Sequence, residues 1–359
     1  MKILCIIENI GPAGAERQLC GLAIELKKKG YDVKLIYYVD KTFYKPLLDE
    51  AGVPNEYMPQ LKGKLLRPFY LAKEIRKNKY DCVISYLSSV NIAACLAKVL
   101  HPVKLIVSER NTHQKVSFKE KMLFNLYRIA DYIVPNSYSE ENYIKNNFPF
   151  LCNKTYTIIN MIDANKFTPS KKEKSKREKK QVVTVGRYTP QKNCLFYLDA
   201  IKICKEKGVN IHFNWYGNKE YNKNYFESIL NKIQELDISD MVTLHDYTSN
   251  VVEVYQNADV FCLPSIYEGC PNVICEAMSC GLPILCSEVC DNPRIVQDNI
   301  NGFLFNPYDC ENFYTAVQKY VSLSNEECSL MQKKNREKIC DELSSDKFAS
   351  NYIKLLKSF

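Results

Sequence analysis

Two glutamates stand eight residues apart in the stretch IYEGCPNVICEAMSCGLP, residues 266–283, among small and apolar residues and helix signals. The run DVFCLPS before it has the composition of a buried strand, and IYEG that of a turn. Pro271 suits the first position of a short helix, Gly281 the residue past its end and Pro283 a stop, so a helix is expected from about Pro271 to Cys280. Glu268 then lies in the loop before the helix, and Glu276 about one and a half turns inside it. The amides of residues 272–274, with the helix dipole behind them, form an anion site. A carboxylate on either flank repels a bare phosphate but accepts hydrogen bonds from hydroxyls attached to one. A sugar joined to a nucleotide diphosphate carries hydroxyls on both sides of its phosphates. Taken alone, the same spacing also describes two exposed surface charges.

A second turn narrows the choice. In VVTVGRYTPQKN, residues 182–193, a strand ends at Gly186 and a helix begins near Asn193, a residue suited to the N-cap. Between them stand Arg187 and Lys192, cations at the carboxyl end of a strand. Arginine offers a planar fork to phosphate oxygens and lysine a point charge, so the two could neutralise a leaving diphosphate without a metal ion. A third turn, ENIGPAGAERQ, puts Gly11 and Gly14 before a helix, where backbone can approach a ligand closely. Its spacing is not GxGxxG, which counts against a dinucleotide-binding oxidoreductase.

These turns need a scaffold, and the rest of the chain supplies its pattern. Short β-branched runs alternate with helical segments: KILCIIENI, DVKLIYYVD, DCVISYLSS and KLIVSERN in the first half, QVVTVGR, IHFNWYG, DVFCLPS and PILCSEV in the second. Strands this apolar are buried on both faces, which means parallel sheets covered by helices. The expected class is α/β, two doubly wound Rossmann-like domains, with ligands beyond the carboxyl ends of the strands. At 359 residues the length suits two domains. The charge run SKKEKSKREKK, residues 170–180, reads as a solvated linker or an insert at their boundary.

No run of about eighteen uncharged apolar residues is present to span a membrane. The start, MKILCIIENIGPAGAE, reads as a first buried strand and not as a signal peptide. Sixteen cysteines with no CxxC pair and only four histidines make a zinc site improbable and read as reduced core residues of a cytoplasmic protein. The net charge of +8 is uneven: residues 1–165 hold 24 Lys+Arg against 16 Asp+Glu, leaving 25 of each for the remainder. Its densest part, residues 61–80, interleaves Lys62, Lys64, Arg67, Lys73, Arg76, Lys77 and Lys79 with Leu, Phe and Tyr. That composition suits an anionic membrane surface, and equally an ordinary amphipathic helix with a solvated basic face.

GRYTPQKN together with EGCPNVICEAMSCGLPILCS, in a chain of this rhythm, resembles the retaining glycosyltransferases of family 4. The resemblance runs from the glycine loop at 11–14, through IINMID (158–163) at the domain junction, to NGFLFNP (301–307). It implies the GT-B fold, in which two Rossmann-like domains face each other across a cleft. The expected divisions are an acceptor-binding domain at 1–165, a nucleotide-sugar-binding domain at 166–344, and a last helix at 345–359 returning to the first domain. By position, Arg187 and Lys192 clamp the diphosphate, Glu276 binds the ribose and Glu268 faces the donor sugar. Gly186, Gly269 and the backbone of Cys270, Pro271, Asn272 and Val273 hold sugar and phosphates, and Gly14 approaches from the other domain. Relatives often carry a histidine after the fourth or fifth N-terminal strand. KLIVSERNTHQK presents Glu109, Arg110 and Asn111 there, with His113 a few residues later. Glu109, Arg110 and His113 are therefore the candidates on the acceptor side.

The expected activity is transfer of a sugar, UDP-linked by preference, to an acceptor hydroxyl with retention and without a metal or other cofactor. The expected acceptor is a polyprenyl-linked glycan of surface polysaccharide assembly, met at the inner membrane face, with no nucleic acid among the partners. A GT-B sugar-nucleotide epimerase and a non-catalytic nucleotide-sugar-binding protein are the alternatives.

Overall fold

A computed structural model of the chain describes residues 1–171 and 177–359, so the centre of the expected linker lies outside the described residues. Two compact units form, one from Met1–Met161 with Ser345–Phe359, the other from Ile162–Ser344.

The first unit starts with β1 (Lys2–Ile6), α1 (Gly14–Lys28), β2 (Asp32–Tyr37), α2 (Lys45–Glu50) and β3 (Asn55–Tyr57). It continues with α3 (Arg67–Asn78), β4 (Cys82–Tyr86), α4 (Ser88–Leu100), β5 (Lys104–Glu109), α5 (Phe118–Leu126), β6 (Tyr132–Pro135) and α6 (Tyr138–Asn147). The strands lie in the order β3-β2-β1-β4-β5-β6, and every pairing is parallel. Alternating residues of one strand serve two cores, as a pleat with both faces covered requires. Ile3 and Cys5 pack with Leu19, Leu22 and Leu26 of α1. Leu4 and Ile6 share the other core with Leu71 and Ile75 of α3, Ala94 of α4 and Phe124 of α5.

The second unit has β7 (Lys180–Val185), α7 (Cys194–Glu206), β8 (Ile211–Tyr216), α8 (Lys223–Glu235), β9 (Val242–His245) and α9 (Val251–Asn257). Then come β10 (Val260–Leu263), α10 (Asn272–Ser279), β11 (Ile284–Ser287), α11 (Asn292–Ile295), β12 (Gly302–Phe305), α12 (Cys310–Val321) and α13 (Asn325–Glu342). Its strand order is β12-β11-β10-β7-β8-β9, again parallel throughout. The order reverses between β10 and β7, so the loops after these two strands diverge at a topological switch point, where open α/β sheets bind ligands.

The last helix, α14 (Ser345–Lys357), belongs to the first unit and packs on α1. Its buried stripe of Phe348, Tyr352 and Leu356 at helical spacing joins the α1 core, and the Tyr352 hydroxyl lies 2.8 Å from that of Tyr86 at the end of β4. All sixteen cysteines are free thiols, and burial raises the pKa of Cys5 and Cys204 to about 12. Of the cations in 61–80, Arg67 does not belong to a solvated face. It is buried, its guanidinium stacks 4.2 Å over Tyr38, and it donates to the carbonyls of Leu61 and Lys62.

Candidate functional site

The loops after β7 and β10 are sewn together at the switch point of the second sheet. The Ile266 amide donates to the Gln191 carbonyl at 3.0 Å, and the Gln191 side chain donates to the Tyr267 carbonyl at 3.1 Å. Lys192 ends a short 3-10 turn, Pro190–Lys192, and Asn193 follows in the left-handed region at φ 59°, which asparagine tolerates. Asn193 does not cap α7 with its side chain, as expected from sequence. It donates instead to the Pro307 carbonyl at 2.8 Å, which ties the loop after β12 to the same place.

Lys192 and Glu268 meet. The ammonium is 2.5 Å from Oε1 of the carboxylate, with side chains only 12% and 9% exposed. The lysine stem lies over Gly186, where an added Cβ would meet Lys192 Cε at 3.4 Å. Gly217, just past β8, is bound more tightly still: a Cβ there would sit 2.3 Å from the Gly186 carbonyl oxygen. Trp215 donates its indole N–H to that carbonyl at 2.8 Å. The strand ends of β7 and β8 are thus held at a separation only glycine permits, beside the ion pair.

The helix behind the pair is α10, Asn272–Ser279, one residue shorter at each end than expected. Gly281 takes φ +77° just beyond it, the left-handed stop predicted from its type. The amide of Ile274 donates to the Pro271 carbonyl at 3.0 Å, which removes it from the expected anion site. Glu276 is buried in this helix and accepts from the Tyr255 hydroxyl at 3.1 Å. Gly269 and Cys270 are half-buried in the loop between Glu268 and the helix. Arg187 does not join Lys192. It is exposed, donates to the Tyr221 hydroxyl at 2.8 Å and stacks over that ring at 4.9 Å. Tyr221, Tyr255 and Gln191 were not named as site residues from the sequence. Gln191 lies within the GRYTPQKN turn itself, between the two cations that drew attention, while Tyr255 lies in a stretch with no motif and only the fold brings it beside Glu276.

Around the end of β8, Tyr216 stacks face to face on His245 at 4.2 Å, and His245 bonds Asn214 at 3.0 Å. Burial lowers the His245 pKa, which keeps the ring neutral at pH 7. A cavity of about 370 Å³ opens beside them, lined among others by Gln181, Asn214, Tyr216, Asn250 and Glu253. Among the described residues, no three His, Cys, Asp or Glu side chains gather as a metal site.

In the first unit Gly14 is the exposed first residue of α1, with the Gly11 amide held by the Asn9 side chain at 2.8 Å. The acceptor-side candidates divide. Glu109, at the end of β5, is fully buried and accepts from Tyr127 at 2.8 Å, Ser88 at 3.2 Å, and the amide and side chain of Asn111. These bonds tie the carboxylate to the ends of the strands and to the loop after β5. The Arg110 guanidinium stacks 4.1 Å over Tyr86 and donates to Asn160 at 2.7 Å and to Tyr352 at 3.0 Å, anchoring α14 to the sheet. His113 bonds Oε1 of the buried Glu140 through Nδ1 at 2.6 Å, and its amide donates to Oε2. Burial disfavours the charged ring, but the Glu140 carboxylate outweighs it and raises the pKa.

Comparison with known proteins bears on this arrangement. A family profile described as "Glycosyl transferases group 1" matches residues 165–338, and one described as "Glycosyltransferase Family 4" matches 12–166. A Haemophilus influenzae protein named "Uncharacterized glycosyltransferase" is 26% identical over 362 positions, 95% of this chain and 98% of its own. An Escherichia coli UDP-Gal:alpha-D-GlcNAc-diphosphoundecaprenol alpha-1,3-galactosyltransferase is 27% identical over 75% of this chain and 73% of its own. Among solved structures, Anabaena HepE in complex with UDP superposes with a TM-score of 0.85 at 19% identity, covering 100% of both chains. With the two parallel sheets, these comparisons identify the fold as two-domain GT-B.

Proposed function

The chain belongs to the group 1/family 4 glycosyltransferases, and from that premise we propose that it moves a sugar from a UDP-sugar to a lipid-linked glycan with retention of the anomeric configuration. The observation that carries this reading is the Lys192–Glu268 pair at the switch point of the second sheet, with Glu276 in the adjoining helix. Lys192 neutralises Glu268 until a donor arrives, then shares its charge with the diphosphate. Glu268 accepts from hydroxyls of the transferred sugar, and Glu276, oriented by Tyr255, accepts from the ribose. The first-turn amides of α10 and the guanidinium of Arg187 receive the remaining phosphate charge. Side-chain cations thereby do the work of a divalent ion, so transfer proceeds in chelator. As the family resemblance implies for retaining transfer, the protein supplies electrostatics and positioning, and the leaving phosphate takes the acceptor proton.

Support for the donor comes from HepE, solved with UDP, and support for the acceptor from the E. coli galactosyltransferase, whose name specifies a diphosphoundecaprenol-linked sugar. A Campylobacter jejuni relative, 25% identical over 91% of this chain, is named as an N-acetyl-D-galactosaminyltransferase acting on a PP-undecaprenol glycan. Such an acceptor puts the enzyme at the cytoplasmic membrane face, and the cationic excess of residues 1–165 suits that position. The test is proton NMR of the reaction with α-linked UDP-sugars and a short-chain polyprenyl-diphosphate glycan. An α-linked product with stoichiometric UDP supports the reading. A β-linked product, or an epimerised free sugar without transfer, overturns it.

A further inference from the structure

In the first unit, α3, α4 and α5 cover one face of the sheet side by side, α3 packing on α4 and α4 on α5. The outward face of α4 carries Ser89, Ile92, Leu96, Val99 and Leu100, with no charge among them. A helix that faces water normally shows charged residues there. The helix's sole charge, Lys98, is spent on Asp131. Exposed apolar side chains continue on both neighbours: Leu65 (89% exposed) and Phe69 at the start of α3, Phe118 (77% exposed) and Met122 at the start of α5. Each of these helices runs back against the parallel strands. Their first turns, with Leu65, Phe69, Ile92 and Phe118, therefore lie at the carboxyl ends of the strands.

Charge completes the description. Exposed cations flank the apolar residues on α3 and α5: Lys64, Lys73 and Lys77 on one side, Lys119 and Lys121 on the other. Of the acids on these helices, Glu74 is buried against Lys34, and Glu120 closes the capping box of Ser117 at the start of α5, where Lys119 and Lys121 outnumber it. An apolar surface flanked by net positive charge complements a bilayer with anionic headgroups. A second copy would bring like charge against like charge, which argues against self-association.

We propose that the outward faces of α3, α4 and α5 form a surface that inserts shallowly into anionic bilayers, with the carboxyl ends of the first sheet toward the lipid. The inference deepens, and rests on, the lipid-linked acceptor proposed above. It goes beyond charge attraction by assigning the anchoring to named apolar side chains. The test is flotation of the full chain with vesicles of phosphatidylcholine alone or mixed with phosphatidylglycerol, at low and high salt. The wild type floats with the anionic vesicles and keeps a salt-resistant fraction. Leu65→Ser/Phe69→Ser/Phe118→Ser loses that fraction, its partitioning falling at least about tenfold. Lys64→Glu/Lys119→Glu/Lys121→Glu lowers low-salt binding by a similar factor. Should the triple serine variant fold poorly, Leu65→Ser alone carries the test with a smaller loss. The proposal is overturned by a wild type that does not float, by complete release in salt, or by variants that float like the wild type. A dimer in sedimentation that the serine variant disperses overturns it too, in favour of a second copy. The vesicles hold neither donor nor glycan, so the outcomes separate. Transfer to a water-soluble acceptor without vesicle binding sinks this inference and keeps the enzymatic reading, and binding without transfer does the reverse.

Discussion

Removing the ammonium of Lys192 while keeping its stem, as in Lys192→Met, separates two roles of one residue. Glu268 would be left nearly buried, 9% exposed, and without its partner at 2.5 Å. Solvent screens so little at that depth that the cost is near that of an unpaired buried charge, about 3 kcal/mol. The second unit runs from Ile162 to Ser344, a size at which each kcal/mol moves Tm by roughly 2–4 °C, so a fall of roughly 6–12 °C is expected. Lys192→Met/Glu268→Gln removes both charges and should recover most of that loss. Ligand binding behaves differently. A charge-assisted hydrogen bond to phosphate is worth about 1.5–3 kcal/mol, so the Kd for UDP should rise roughly 10- to 150-fold in both variants. Calorimetry measures the affinity and thermal unfolding the stability. A single variant within about 1 °C of wild type, or a double variant no more stable than the single, would refute the ion-pair reasoning.

Two further outcomes follow from the geometry. Gly217→Ala places a methyl group 2.3 Å from the Gly186 carbonyl oxygen, a backbone atom that cannot step aside. It should cost about 2 kcal/mol by thermal unfolding and weaken UDP binding as well, because the strand ends carrying the ion pair must part. The His113–Glu140 pair predicts a pH-dependent stability. The folded-state pKa of His113 lies above its ordinary 6.5 because Glu140 outweighs burial, so the pair's contribution is complete below pH 6.5 and fades as pH rises through the raised value. The Tm gap between wild type and Glu140→Gln should therefore narrow as pH rises from about 6 through the raised pKa of His113, and a constant gap would deny the ring its charge.

The sheets were legible because their central strands are continuous apolar runs bounded by turns. KILCIIENI and DVFCLPS fall on β1 and β10 with little ambiguity. The short outer strands β3 and β12 were not read as strands, although NGFLFNP was noted for its resemblance: NEY and GFLF are too brief for periodicity to distinguish from loop. Turn and helix signals fix where a strand ends, so Lys192 and Glu268 fall in the loops after β7 and β10, and Glu276 inside α10, as their spacing indicated. Spacing could not show that Lys192 closes on Glu268 or that Arg187 leans on Tyr221, contacts made across 76 and 34 residues of chain. The neighbours of Glu109 were hidden as well: the sequence puts a carboxylate at a strand's carboxyl end, and only the fold shows Tyr127, Ser88 and Asn111 donating to it. The exposed apolar face of α3 to α5 was equally out of reach, since composition reports how many apolar residues exist and not which remain in water.

Titration calorimetry of UDP, with NAD as the control, on wild type and Glu276→Ala tests the central claim most directly. The account predicts UDP binding to the wild type, a loss of at least about tenfold in the variant as the ribose loses its buried acceptor, and no NAD binding by either. UDP binding of equal strength in both proteins, or binding of NAD, would contradict it.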